Sequence, residues 1–371
     1  MKPFLFILVL LISHGLPAQL RTVYLIGDGG KFDPVLHTHL KGELSSESEL
    51  KTVVFLGDNV YSSGYKSDKK SDIKLNQQLD LISGDFQGRG FLIPGNHDWT
   101  NSRWLGYKRI INQGEKAGKD HFAPLAATPG PVAEDIQVSS SKRIKLIMID
   151  SQWLLQSKTS KVGTTNGVDR DEEAAKFWYD LSQHLSQAAR NRQMVILAAH
   201  HPLQSTGGHG RKKWYRYPMY LLTPLYLFGG YSVYGLTSQD IPHPRYLDFK
   251  KKLQASIRDY YLADHPHGAV IYAAGHQHNL QYWQEGNIHY LVSGSASKQD
   301  AHMDKVANRY RSEQVQLLYP TNEILPAGGK IKHPLQGYMK VEFYETEYQI
   351  KILQKTPENN VIQVFENTIV Y

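Results

Sequence analysis

The chain has 371 residues, of which 41% are hydrophobic and 21% charged, enough apolar material for a sizeable core and too much for a disordered chain. A formal charge of +7 favours anionic partners in general, but the basic residues are scattered in short runs such as Lys250-Lys251-Lys252, which argues against a nucleic-acid-binding arm. There is no cysteine, so disulfides, thiolate metal ligands and a cysteine-anchored lipid are excluded, and any metal must be held by His, Asp, Asn or Tyr.

Residues 1–18 read as a leader. Lys2 gives a positive start, residues 4–12 form an apolar run, and Leu16-Pro17-Ala18 offer small residues for cleavage before Gln19. The run of nine falls far short of the roughly 20 apolar residues that span a bilayer, so the leader predicts export, to a periplasm or beyond the cell, and not an anchor. Residues 19–371 are expected to form one domain, because no repeat, low-complexity tract or linker divides them.

Within that domain, strand-like apolar runs recur and end in polar residues. Val23-Tyr24-Leu25-Ile26 runs into Gly27-Asp28; residues 52–56 run into Gly57-Asp58; Phe91-Leu92-Ile93 runs into Gly95-Asn96-His97-Asp98. A run over 144–149 leads to Asp150-Ser151-Gln152-Trp153, expected to support the site without taking part in its chemistry. Residues 171–190 carry Ala175, Trp178, Leu181 and Leu185 near helical spacing. The run 195–199 then enters His200-His201, residues 248–262 again look helical, and 269–274 enters Gly275-His276-Gln277-His278. Alternating patterns predict strands over 338–343, 348–353 and 361–365. Polar residues just past the C-terminal ends of buried strands are where α/β sheets place ligand sites.

Each polar motif alone is ordinary turn chemistry. Their ordered set is not: carboxylate, carboxylate, Asn-His, His and His-x-His, one at each of five strand ends. Carboxylate, amide and imidazole suit a pair of hard or borderline metal ions, and such a pair can clamp both the attacking and the leaving oxygen in phosphoryl transfer.

At these residues the sequence resembles the purple acid phosphatases, in their short, animal-like form, within the calcineurin-like metallophosphoesterases. The family pattern D-x-G, G-D-x-x-Y, G-N-H-D/E, V-x-x-H and G-H-x-H is met by Asp28-Gly29-Gly30, Gly57-Asp58-Asn59-Val60-Tyr61, Gly95-Asn96-His97-Asp98, Leu197-Ala198-Ala199-His200 and Gly275-His276-Gln277-His278, with only Leu197 departing. The resemblance implies an α/β fold, a four-layer αββα sandwich of two mixed sheets. It implies two metal ions, Fe(III) held by Asp28, Tyr61 and His278, and a divalent Fe, Zn or Mn held by Asn96, His200 and His276, with Asp58 bridging. The wider superfamily usually has D-x-H where this chain has Asp28-Gly29-Gly30; the phenolate of Tyr61, which favours a trivalent ion, stands in for that histidine. His97 is implied as a group that orients phosphate, with Asp98 as the partner that steers it. His209, in Gly208-His209-Gly210, is implied as a second histidine that binds phosphate or protonates the leaving group. His201 falls at a variable family position and is not expected to ligate.

The expected reaction is hydrolysis of phosphate monoesters, with a metal-bound hydroxide as nucleophile. A phosphodiesterase, nucleotidase or pyrophosphatase on the same fold remains open, as does a non-catalytic phosphate- or membrane-binding protein. Residues 205–239 have no acidic residue and are rich in aromatic and basic ones, from Arg211-Lys212-Lys213 through Trp214 to Tyr234. Three readings stand for that insertion: a substrate-selecting lid, a peripheral membrane contact, or an irregular segment packed on the body. His37, His184, His243 and His333 match no motif and are expected at the surface.

Overall fold

The apolar runs become strands, and the odd-even alternation of each strand decides which residues face which layer. The computed structural model describes residues 19–46, 50–100, 103–125, 127–156, 169–207, 209, 240–241, 243–300, 314–320 and 335–371. The leader pattern over 1–18, His333 and nearly all of the 205–239 insertion lie outside the described residues.

The first half comprises β1 (Arg21–Ile26), α1 (Pro34–Leu44), β2 (Leu50–Phe55), α2 (Lys69–Leu79), β3 (Gly88–Leu92), α3 (Arg103–Ala117), β4 (Val132–Gln137), β5 (Arg143–Met148) and α4 (Ser151–Leu155). It is followed by α5 (Arg170–Arg190), β6 (Met194–Ala198), α6 (Pro244–Ile257), β7 (Val270–Ala274), β8 (Leu280–Glu285), β9 (Ile288–Ser293), β10 (Gln316–Tyr319), β11 (Gly337–Phe343), β12 (Glu347–Lys355) and β13 (Val361–Val370). The strands make a six-stranded sheet, ordered β13-β12-β11-β1-β2-β3, and a seven-stranded sheet, ordered β10-β8-β9-β7-β6-β5-β4. Both are mixed: β1, β2 and β3 run parallel, as do β5, β6, β7 and β9, with antiparallel strands at the flanks.

Alternate residues of the central strands sort into three apolar layers. Val23, Leu25 and Val54 meet Leu146, Ile196 and Ile271 between the sheets. Their neighbours Tyr24, Ile26 and Val53 face outward onto Leu36, Leu40 and Leu75 of α1 and α2. On the other side Val195, Leu197 and Tyr272 face Phe177, Leu181 and Leu253 of α5 and α6. Four layers, helix–sheet–sheet–helix, follow, and the expected αββα sandwich is the observed fold. No described helix is long and apolar enough to cross a membrane.

Two helices differ in detail from their sequence patterns. In α5 the buried stripe is Phe177, Leu181, Leu185 and Ala188, while Ala175 is exposed and Trp178 only partly buried. The i, i+4, i+8 row that starts at Phe177 is the one that packs flat on the sheet. Helix α6 begins at Pro244, earlier than expected, because His243 accepts the N–H of Arg245 as N-cap and Pro244 needs no partner at the first position. His243 is therefore buried, not at the surface, and burial lowers its pKa to about 4. Of the N-terminal helices, α1 buries the row Leu36, Leu40 and Leu44, whereas α2 buries only Ser71, Leu75 and Gln78, and its clearest sequence signal is the capping box between Asp68 and Ser71.

Candidate metal centre

Asp28 follows β1, Asp58 follows β2 and the Asn96-His97 pair follows β3, all at the C-terminal edge of the parallel part of the six-stranded sheet. His200 follows β6, and His276 and His278 follow β7, at the C-terminal edge of the other sheet. The two edges meet, so residues from five strand ends share one site.

The residues resolve into two groups of donors. In the first, Tyr61 Oη donates to Asp28 Oδ1 at 2.7 Å and lies 3.1 Å from His278 Nε2, which is 3.5 Å from Asp28 Oδ1. In the second, Asn96 Oδ1 lies 2.9 Å from His200 Nε2 and 3.0 Å from His276 Nδ1. Asp58 touches both. Its Oδ1 is 3.4 Å from His200 Nε2, and its carboxylate joins the Asp28 carboxylate and the His278 imidazole in a cluster whose ligand atoms all lie within 4.8 Å.

These spacings fit metal ions. Nitrogen and oxygen ligands at about 2.0–2.2 Å from one ion lie about 3 Å apart when adjacent. Hydrogen bonding makes the same point. His200 Nδ1 donates to the carbonyl of Leu56 at 2.8 Å, which leaves Nε2 as a lone pair facing the oxygens of Asn96 and Asp58. His278 Nδ1 donates to Asp300 at 2.9 Å, which leaves its Nε2 facing Tyr61 and Asp28. In the second group acceptor faces acceptor, and a cation between them satisfies all; in the first, Tyr61 gives its own proton to Asp28, a proton that a cation would replace. A carboxylate or carbonyl behind a ligating imidazole is the usual way its tautomer is set.

Charge tells the same story. Asp28 and Asp58 are 0% and 1% exposed. Burial, with Asp58 beside it, pushes the Asp28 carboxyl up despite His278 and His200. Burial acts on Asp58 too, but His200 and His97 outweigh it and hold it down to about 2. Burial and both carboxylates push the Tyr61 phenol well above its usual range. Two buried carboxylates side by side are costly alone and are relieved by cations.

Glycine opens the room. A Cβ on Gly95 would sit 2.3 Å from Asp58 N and 2.4 Å from its Oδ1. A Cβ on Gly30 would sit 2.5 Å from Tyr61 N and 3.0 Å from the Tyr61 ring. Any side chain at 30 would thus press on the backbone of the loop that carries Asp58 and Tyr61, a physical reason for glycine there.

His97 flanks Asp58: its N–H donates to Asp58 Oδ1 at 2.8 Å, and its Nε2 lies 3.9 Å from Asp58 Oδ2. The group that steers its ring is the carbonyl of Ser62, 2.7 Å from Nδ1, and not Asp98 as expected. Asp98 turns the other way. Its carboxylate accepts the N–H groups of Gly95, Asn59 and Val60 at 2.8–3.1 Å and so clamps the loop that carries Asp58 and Tyr61. Burial and the charge of Asp58 push Asp98 up to about 7.

His209 stacks on His276 with ring centroids 4.0 Å apart, and its Nδ1 lies 2.9 Å from Asp240 Oδ1. His201 packs on His276 at 4.4 Å with Nδ1 directed at Ser151, 2.8 Å away. Ser151, in the segment expected to support the site, lies under His200 and His201, and Gln277, the middle residue of the His276-Gln277-His278 motif, lies between His209 and Asp300; three residues had no motif to announce them, Asp240 beside His209, Asp300 beside His278, and Lys298, whose ammonium lies 3.3 Å over the Tyr61 ring.

Residues 21–294 match the family model of the calcineurin-like phosphoesterase. Tartrate-resistant acid phosphatase type 5 of Oryctolagus cuniculus is 24% identical over 319 residues, 80% of this chain and 80% of that protein. The protein of the same name from Rattus norvegicus is 24% identical over 324 residues, 82% of each. Among solved structures, the GAP50 anchor in the inner membrane complex of Plasmodium aligns with a TM-score of 0.53 and 16% identity over 95% of this chain and 89% of that one, a likeness of fold alone. The chain belongs to the calcineurin-like phosphoesterase family and is a metal-dependent phosphatase.

Proposed function

We propose that this phosphatase hydrolyses phosphate monoesters at a centre of two metal ions. Asp28, Tyr61 and His278 would hold one, Asn96, His200 and His276 the other, with Asp58 shared. The hard phenolate and carboxylate set suits ferric iron at the first position, and the amide and imidazole set suits divalent iron, zinc or manganese at the second. The observation that carries the reading is the pair of donor groups meeting at Asp58. Bound ions supply Lewis acidity and a water acidified enough to serve as nucleophile near neutral pH.

The protein's own groups do the rest. His97, aimed by Ser62, presents Nε2 on the Asp58 side to a phosphoryl oxygen. His209 stands on the His276 side, where it reaches the leaving oxygen. The likeness to acid phosphatases over four-fifths of the chain supports a monoester substrate. Export belongs to the same reading and rests on the leader pattern; N-terminal sequencing of protein recovered outside the cytoplasm should begin at Gln19.

The deciding measurement is turnover of p-nitrophenyl phosphate against bis-p-nitrophenyl phosphate, in metal-stripped protein and after restoring iron plus zinc. Metal-dependent monoester hydrolysis, reduced at least ~1,000-fold in Asp58→Ala, is the expected result. Preference for the diester would replace the monoester reading, and normal rates in Asp58→Ala would remove the shared-carboxylate assignment.

A further inference from the structure

His209 and Asp240 stand 31 residues apart in the chain, and they meet beside the metal centre. Three bonds hold them there. The N–H of Ile241 donates to the carbonyl of His209 at 2.8 Å, the N–H of His209 donates to Gln277 Oε1 at 3.2 Å, and Nδ1 of His209 faces Asp240 Oδ1 at 2.9 Å. Gln277 is itself 0% exposed and reaches Asp300, which holds His278, so the pair is braced against the same loop that carries two donor residues. A ring so fixed has one orientation and one tautomer: Nδ1–H points to the carboxylate, and Nε2, on the opposite edge of the ring, is the nitrogen left to exchange a proton.

We propose that Asp240 is a positioning residue for leaving-group protonation, and that the His209–Asp240 pair gives the enzyme its activity on esters of unactivated alcohols. The inference rests on the monoesterase reading above. In the step, water adds to phosphorus while the bond from phosphorus to the ester oxygen breaks. That bond's electron pair goes to the leaving oxygen, which takes the proton from His209 Nε2 and departs as the alcohol. His209 is left neutral, with Nδ1–H still on Asp240, and water restores the proton at Nε2. A nitrophenolate leaves readily without that proton, whereas an alkoxide does not, so the value of the pair scales with the basicity of the leaving group.

The test is a leaving-group series, from p-nitrophenyl phosphate through phenyl phosphate to glycerol phosphate, on the metal-loaded wild type, Asp240→Asn, His209→Ala and the double variant. In Asp240→Asn, kcat should fall a few-fold on the nitrophenyl ester and about 100-fold on the glycerol ester. The double variant should be no slower than His209→Ala, because Asp240 acts only through His209. An equal loss on every substrate, or additive losses in the double variant, would overturn the proposal. A second measurement does not need turnover. Nitrogen-15 spectra of the wild-type imidazoles at neutral pH should show His209 protonated at Nδ1, and this signature should shift in Asp240→Asn. The opposite tautomer in the wild type would also overturn the assignment. Should the metal-loaded wild type hydrolyse no monoester, the monoesterase reading fails, while the spectra still decide whether Asp240 sets the ring.

Discussion

Asp28, Asp58 and His276 all have positive φ, at 60°, 55° and 68°, a conformation that costs a residue with a side chain about 1 kcal/mol or more. Bonds at the site hold all three: the Asp28 N–H donates to the Gly57 carbonyl, the His276 N–H donates to Asp28 Oδ2 at 2.7 Å, and Asp58 Oδ1 accepts the His97 N–H at 2.8 Å. Strain is thus accepted where it aims donors at one point. Lys298 lies in the same small volume. Its ammonium sits 3.3 Å over the Tyr61 ring and its charge reaches Asp300 and His278, so it adds a cation at the edge of the first donor group, where a substrate anion would bind. Lys298→Met should raise KM for p-nitrophenyl phosphate and weaken inhibition by inorganic phosphate, each about 5- to 10-fold, with a smaller change in kcat; Lys298→Arg should retain most of the binding. Unchanged phosphate inhibition in Lys298→Met would restrict this lysine to bracing Tyr61.

At the scale of elements, short capping segments do the positioning. The side chain of Asp150 accepts the N–H of Trp153 at the start of α4 and the indole N–H of Trp99 at 2.7 Å, which ties α4 to the loop after β3. Ser151 accepts the N–H groups of His200 and His201 at 3.2 and 3.1 Å, then spends its own proton on His201 Nδ1. One hydroxyl therefore sets the direction in which the chain leaves β6, and with it the aim of His200. Ser151→Ala leaves two buried N–H groups without that acceptor, at a cost of about 1–3 kcal/mol. It should also weaken metal retention about 10- to 100-fold, since the backbone under a ligand shifts. Metal content after dialysis, compared with the melting temperature, checks this. A lower melting temperature with full metal retention would uncouple Ser151 from the centre.

At the scale of the molecule, the two sheets must stay in register for their edges to share a site. Between them lies His289 of β9, with Tyr282 of β8 at 2.8 Å from Nδ1 and Tyr348 of β12 at 3.0 Å from Nε2, a bridge from one sheet to the other. Burial lowers its pKa to about 4. The folded value lies below the unfolded value of about 6.5, so the unfolded chain takes up a proton that the folded one refuses. Stability from this group is full above about pH 6.5, falls as the pH drops toward 4, and is flat below that; the loss is about 3 kcal/mol. Urea midpoints at pH 7 and 4.5, at equal metal concentration, should fall further in the wild type than in His289→Gln. Parallel losses would place the acid sensitivity elsewhere.

The sequence by itself determined the central strands and the polar residues at their ends, and its family resemblance carried the four layers. Buried strands show as apolar runs, and a metal ligand must follow its strand directly, so Asp28, Asp58, Asn96, His200, His276 and His278 were all legible from local pattern. It also pointed to α5 and to Leu181 and Leu185 of its buried stripe, though not to Phe177 and Ala188, because which row of a helix packs depends on the sheet beneath it. Helices α1 and α2 were missed because each buries a row of only three residues and is marked chiefly by its N-cap, Asp33 or Asp68. Only the tertiary structure decided the partners. Asp240 and Asp300 stand 31 and 22 residues from the histidines they hold, Ser151 is 49 residues from His200, and no spacing rule links them. It also turned Asp98 from His97 to the loop it clamps. The reason is physical: a ligand is specified by its own strand end, whereas the group that orients it comes from whichever segment the fold lays alongside, and that is a property of packing between distant parts of the chain.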